Sequence, residues 1–404
     1  MKKNVKLLIV FILLILLITA VIIFKKNNNK VKLENNVEKK GDRVFVEEES
    51  LDKKINNKLK TMSIEEKISQ MLIINYENDE IDSNMINFLN TNSLGGIILM
   101  KNNITTFDKT KKLVSDFKSN SSIPLIISIE QEGGSVQRLQ YLTDVSPTYI
   151  PFMYDLGLTS DDALAYEVGK VIGNELKTIG VNVVYAPVVD IYSNPFNTVI
   201  GKRSFSSNSN IVSHMANAVA SGLEDIGVIP TYKHFPGHGD TDVDSHYNLP
   251  VINKTYDELN NLELTTFKSA IENDAKIIMV GHIALPKITN DLTPASLSKK
   301  IVTDILKHGL GYNGLVVTDA LNMGGVTNKY SDCQIYTEAI NAGVDLLLMP
   351  NNYIDAIECV KTNIKEDRIN ESVKKILMFK YTYLNDYKYN DKEILGSEEN
   401  KKII

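Results

Sequence analysis

From about residue 56 to residue 387 the chain alternates short apolar runs with longer amphipathic stretches. The runs fall at 71–75, 95–100, 125–129, 183–187, 229–232, 277–280, 315–318 and 345–349. Several are apolar throughout and rich in Val and Ile, as expected of strands buried on both faces of a parallel sheet. The stretches 105–118, 163–179, 211–226, 256–272, 299–308 and 334–342 carry helical periodicity. Ser63-x-x-Glu66 is a capping-box start for a helix leading into the first strand. Eight βα units predict a (β/α)8 barrel in a single domain over residues 56–387, with enlarged loops. A doubly wound open sheet would want a glycine-rich phosphate loop after an early strand. The early pairs Gly95-Gly96 and Gly133-Gly134 do not make that fingerprint.

The two ends read differently. After Met1-Lys2-Lys3 an apolar run extends from Leu7 to Phe24, interrupted only by Thr19, and stops at Lys25-Lys26. Its length suits one bilayer crossing, and no A-x-A cleavage pattern follows. Residues 1–26 are therefore expected to be an uncleaved signal-anchor, a transmembrane helix, with a cleaved signal as the alternative. Lysines at both ends leave its orientation unset. Residues 27–55, dominated by Asn, Lys and Glu, read as a solvated tether. Residues 388–404 read as a polar tail.

Composition narrows the function. At 404 residues and 43% hydrophobic, the chain can bury a large core. The formal charge is −6, and subtracting the five lysines of residues 1–26, which contain no acid, takes it to −11. An acidic body argues against nucleic acid as the partner. Cys333 and Cys359, the only cysteines, are either free thiols or one bridge.

Candidate chemistry concentrates in residues 233–246. Three of the six histidines, His234, His238 and His246, lie there beside Asp240, Asp242 and Asp244. With Pro236, Gly237 and Gly239, the segment reads as an active-site loop leaving a strand. In a barrel, polar residues at strand C-termini converge on one face. Here they are Glu130 and Glu132, Asp190 and Arg203, Lys233 and His234, His282, and Asp319. Asp319 reads equally as a nucleophile or as a carboxylate capping the next helix. Asp244-x-His246 sets a carboxylate beside an imidazole, a pair suited to giving and taking protons near neutrality. Charged donors such as Arg203 and Lys233 suit a ligand dense in hydroxyl oxygens; a surface salt bridge is the alternative. Metal-dependent hydrolysis is a competing class, since His-x3-His can hold zinc from a helix face. Pro236, Gly237 and Gly239 oppose a helix there, so no metal is expected.

Four segments resemble glycoside hydrolase family 3, in its β-N-acetylhexosaminidase branch. They are MSIEEKISQM at 62–71, EQEGGSVQR at 130–138, KHFPGHGDT at 233–241 continuing to Asp244-Ser245-His246, and Thr318-Asp319-Ala320-Leu321. Asn194-Pro195 through Arg203-Ser204-Phe205 is a weaker fifth match. The resemblance implies Asp319 as nucleophile, His246 as acid/base with Asp244 as its partner, and Glu130, Arg138, Arg203, Lys233 and His234 as substrate ligands. His238 and Asp240 are expected to shape the loop, with Gly237 and Gly239 allowing a tight backbone, and Asp190 and His282 to give support. No cofactor is implied. Two positions depart from the family pattern: Glu130 stands where an aspartate is usual, and Ser135 where an arginine is common. Many members take a glutamate acid/base from a second domain. Fewer than 60 residues follow the eighth strand here, so the donor is expected from the barrel loops. The expected function is a retaining exo-β-N-acetylglucosaminidase acting on cell-wall glycan fragments, anchored in the membrane and facing the wall. Phosphorolysis and a non-catalytic glycan-binding module on the same fold are the alternatives.

Overall fold

In a computed structural model of the chain, residues 50–404 other than 242, 243 and 386 are described. The apolar runs form eight parallel strands: β1 Leu72–Asn75, β2 Gly96–Leu99, β3 Ile126–Ile129, β4 Val183–Val184, β5 Ile229–Phe235, β6 Ile277–Val280, β7 Leu315–Thr318 and β8 Leu347–Leu348. Each strand pairs with the next in the chain, and β8 returns to β1 in the register Leu72↔Leu347 and Ile73↔Leu348. The ring closes between β7 and β8 through the parallel bridge Val317↔Leu346 and the bond from Thr318 N to Leu346 O, 3.1 Å. This is the predicted (β/α)8 barrel. Its strands are buried on both faces, which is why they read as continuous Val/Ile/Leu runs. All strands point the same way, so every residue just past a strand end lies at one rim.

The capping box forms as read. Ser63 Oγ accepts from Glu66 N at 3.1 Å, and Glu66 Oε2 accepts from Ser63 N at 2.7 Å. The helix Ser83–Asn92 was not expected, because its four asparagines and a serine have weak helix propensity. Met85, Phe88 and Leu89, spaced to share one face, bury against the barrel and decide the matter. Cys333 and Cys359 are joined in a disulfide linking the helices Asp332–Ala342 and Tyr353–Asn363.

Both predicted boundaries move. The tether expected over 27–55 ends early, because the helix Leu51–Thr61 starts from the Ser50 cap and buries Ile55 and Leu59. The tail 388–404 is part of the fold. The helix Asp162–Thr178 buries the carboxylate of Glu175, which needs donors; Thr148 N supplies one, and the tail supplies two more. Gly396 N donates to Glu175 at 2.8 Å and Asn400 Nδ2 at 3.2 Å. Tyr389 lies under the ammonium groups of Lys111 and Lys118. Polar composition concealed a segment whose polar groups are inward-facing partners. The anchor expected at 1–26 lies outside the described residues, as does most of the tether. Among the described residues no helix is long and apolar enough to cross a membrane.

Candidate active site

Five successive strand ends bring their polar residues to the C-terminal rim. Glu130 directly follows β3, and a short hairpin, Gln131–Gly133 with Val136–Gln137, then carries Glu132 and leads to Arg138. Strand period two puts Glu130 and Glu132 on the same side. Arg203 arrives from the long β4–β5 loop, and Lys233 and His234 belong to β5 itself.

These residues form one chain of charges. Arg203 donates from Nε and Nη2 to the two oxygens of Glu132, both at 2.8 Å. Lys233 Nζ lies 2.6 Å from Glu132 and 3.4 Å from Glu130. Arg138 Nη2 donates to Glu130. Glu132 is 2% exposed and Lys233 is fully buried. Burial would raise the Glu132 carboxyl, but Arg203 and Lys233 overcome it and hold the group far below the usual carboxylate range. Glu130 is likewise held low against its burial by Lys233 and Arg138. Arg203 and Lys233 thus do form ion pairs, but buried ones that fix their donors in place. Glu132, absent from the expected site set, is the hub. Its two-residue spacing from Glu130 was the available signal.

The second group is built on Asp190, in the segment after β4. Its Oδ2 lies 2.7 Å from His234 Nδ1, and its Oδ1 accepts from His238 N at 2.6 Å. Burial raises the Asp190 carboxyl, but His234 and these hydrogen bonds outweigh it and keep it ionised. An ionised carboxylate only accepts, so His234 must donate from Nδ1, leaving Nε2 for the site. Asp190 is thereby the ring-orienting support expected of it.

His238 is 1% exposed and does no chemistry at the rim. Its Nδ1 meets Thr241 Oγ1 at 2.7 Å and its Nε2 meets Ser245 Oγ at 3.1 Å. Burial pushes its pKa down to about 4, so the ring is neutral and pins the loop at two points. Asp240 takes part in the same shaping through an ion pair with Lys254 at 3.1 Å. Gly237 has a φ of 125°, and a Cβ on Gly239 would run into the Ile191 carbonyl, so the tight backbone needs both glycines.

Beyond this knot the loop presents Asp244 and His246. His246 Nδ1 lies 2.7 Å from Asp244 Oδ1, which also accepts from His246 N at 2.8 Å. Asp244 is held below the ordinary aspartate value: its partial burial opposes this, and the His246 amide and ring outweigh it. The ring therefore donates from Nδ1, and Nε2 projects from an imidazole that is 62% exposed.

Asp319 directly follows β7, its amide bonded to Val280 O at 2.9 Å. Its Oδ1 accepts from Ala320 N at 2.8 Å. Burial would raise this carboxyl, but its electrostatic interactions with His234 and His282, the Ala320 amide and the Lys233 ammonium outweigh it and hold it below the ordinary aspartate value. His282 sits behind it, with Nε2 donating to Ala320 O at 3.0 Å and Nδ1 accepting from Ser296 Oγ at 2.8 Å. The arrangement offers a fixed anionic nucleophile, a proton shuttle on a separate loop, and a charged wall of directional donors. Such a wall suits a ligand dense in hydroxyls. Among the described residues no cluster suited to a metal ion occurs.

Comparison with known proteins fits this chemistry. Residues 63–379 match the glycosyl hydrolase family 3 N terminal domain. Beta-hexosaminidase A of Pseudoalteromonas piscicida is 38% identical over 276 residues, which are 64% of this chain and 46% of that protein, so the chain spans under half of that relative's length. Beta-hexosaminidase LpqI of Mycobacterium tuberculosis is 32% identical over 294 residues, 71% of this chain and 73% of that one. The structure of a glycoside hydrolase family 3 beta-N-acetylglucosaminidase from Paenibacillus sp. str. FPU-7 superposes with a TM-score of 0.79 at 31% identity, covering 85% of this chain and 68% of that one.

Proposed function

This chain belongs to glycoside hydrolase family 3, and on that premise we propose that it is a retaining, exo-acting β-N-acetylglucosaminidase that removes terminal N-acetylglucosamine from peptidoglycan-derived glycans. One observation carries the reading: an ionised Asp319 at the end of β7 shares the barrel rim with a His246 ring held by Asp244 and open at Nε2. The names of the relatives favour the acetamido sugar. The wall-derived substrate and an outward-facing, membrane-anchored location rest on the apolar run at residues 7–24.

In the proposed cycle the Arg203–Glu132–Lys233–Glu130–Arg138 wall and His234 Nε2 grip the sugar hydroxyls. Asp319 attacks the anomeric carbon from one face as His246 Nε2–H protonates the glycosidic oxygen. The C1–O bond breaks, the leaving group departs as an alcohol, and a glycosyl–Asp319 ester forms. Neutral His246 then takes a proton from water, the resulting hydroxide attacks C1, and Asp319 is released. Asp244 keeps the ring oriented through both steps and stabilises its protonated form.

The test is nitrophenol release by the full-length protein from 4-nitrophenyl N-acetyl-β-glucosaminide beside the glucoside, with and without inorganic phosphate, and with Asp319→Ala as control. Turnover of the acetamido sugar that the variant loses, with mass-shifted Asp319 peptide trapped during turnover, supports the reading. Sugar phosphate as the product replaces hydrolysis with phosphorolysis. Sugar binding without turnover identifies a binding module. A parallel incubation with muropeptides that releases no N-acetylglucosamine refutes the wall substrate alone.

A further inference from the structure

The Asp244 bonds orient the His246 ring relative to its own loop. They cannot place that loop relative to Asp319, because both lie within residues 244–246. Placement needs bonds to another element. Among the described residues, three hydrogen bonds run from 244–248 to another element, and all end on the segment that continues from Asp319. Gly325 N donates to Ser245 O at 3.0 Å, and Gly324 N donates to His246 O at 3.0 Å. Asn328 Nδ2 donates to Tyr247 O at 2.7 Å. Three consecutive carbonyls of the loop are thus gripped by one segment.

The two backbones meet too closely for side chains. A Cβ on Gly324 would lie 2.6 Å from Tyr247 O and 2.9 Å from His246 O. One on Gly325 would lie 3.0 Å from Ser245 O and 3.2 Å from the His282 Cβ. Any substituent there pushes the loop away from the nucleophile. His238 holds Ser245 from within the loop at 3.1 Å.

We infer that Gly324, Gly325 and Asn328 are positioning residues that dock the His246 loop onto the continuation of the nucleophile strand, so that one short segment sets the distance between the two catalytic groups. The inference rests on the glycosidase reading above. Its physical consequence is specific. A misplaced His246 fails to protonate the leaving oxygen, while Asp319 and the sugar-binding wall stay intact. The defect must grow with the basicity of the leaving group.

The experiment measures kcat/KM for phenyl, 4-nitrophenyl and 2,4-dinitrophenyl N-acetyl-β-glucosaminides with wild type, Asn328→Ala, Asn328→Asp and Gly324→Ala. Asn328 is exposed, so its variants test the dock even if Gly324→Ala does not fold. The phenyl glycoside is expected to lose about tenfold or more, and the dinitrophenyl glycoside, which leaves without protonation, less than about twofold. Asn328→Asp, which keeps the shape and loses the donor, should match Asn328→Ala. Equal losses across the series, or none, overturn the inference while leaving the glycosidase reading in place. A wild type that cleaves none of the three sinks that reading and the inference with it.

Discussion

Replacing Glu132 by Gln changes almost nothing in shape and one full charge in a buried network. In the wild type its two oxygens take both arms of the Arg203 guanidinium at 2.8 Å, and one of them also takes Lys233 at 2.6 Å. Glutamine offers a single oxygen, and its amide N–H groups would face a cation. Arg203 would keep the Val199 carbonyl and at most that one oxygen, and Lys233 would fall back on Glu130, which lies 3.4 Å away and is already engaged by Arg138. Glu132 is 2% exposed, so water cannot replace the lost acceptor. Breaking a buried pair from one side costs about 3–5 kcal/mol. For a domain of this size that is a fall in melting temperature of roughly 4–7 °C. Lys233 and Arg203 also lose their fixed positions, so kcat/KM for the acetamido sugar should drop by about 10–100-fold. The pH dependence has a definite sign. The folded-state pKa of Glu132 is depressed, so its stabilisation is fully present above the ordinary value of 4.5 and is lost as pH falls toward the lower folded value. Thermal melts of wild type and Glu132→Gln at pH 7 and at steps below 4.5, with kinetics at pH 7, test all three statements. A variant melting within about 2 °C of wild type at pH 7 would refute the claim that this carboxylate holds two buried cations.

Asp244→Ala should lower kcat about 100-fold on a phenyl glycoside, because the His246 ring loses the partner that orients it, and melting temperature should not move; a normal rate removes Asp244 from the mechanism. His238, buried neutral with a pKa lowered from 6.5 to about 4, makes the unfolded chain bind the extra proton between those values. Wild-type stability should therefore decline by about 3 kcal/mol more than that of His238→Gln between pH 7 and pH 4, as followed by urea unfolding. Parallel curves would contradict the assignment. Reducing the Cys333–Cys359 bridge, whose partners are 26 residues apart, should cost about 3 kcal/mol by the chain-entropy estimate. Melts with and without reductant check this, and a Cys333→Ser/Cys359→Ser double variant should melt with the reduced protein. An unchanged melt would mean the bridge contributes nothing.

The barrel was legible because a strand buried on both faces must be apolar throughout, and that requirement is local. The runs at 277–280 and 315–318 became β6 and β7 without adjustment. Reactive residues were legible for a related reason: parallel strands all deliver their C-terminal neighbours to one rim, so position along the chain already implied convergence of Glu130, Lys233, His234 and Asp319. What depended on tertiary structure was pairing. The sequence contains Glu132 but not the two cations that converge on it from the β4–β5 loop and from β5. It contains Glu175, two of whose donors, Gly396 and Asn400, come from a tail more than 200 residues later that composition alone marked as solvated. It contains Gly324, Gly325 and Asn328, but not the loop carbonyls they hold. Burial periodicity is a one-dimensional signal that each segment carries by itself. A polar contact between distant segments leaves no trace in either one until folding brings donor and acceptor within about 3 Å.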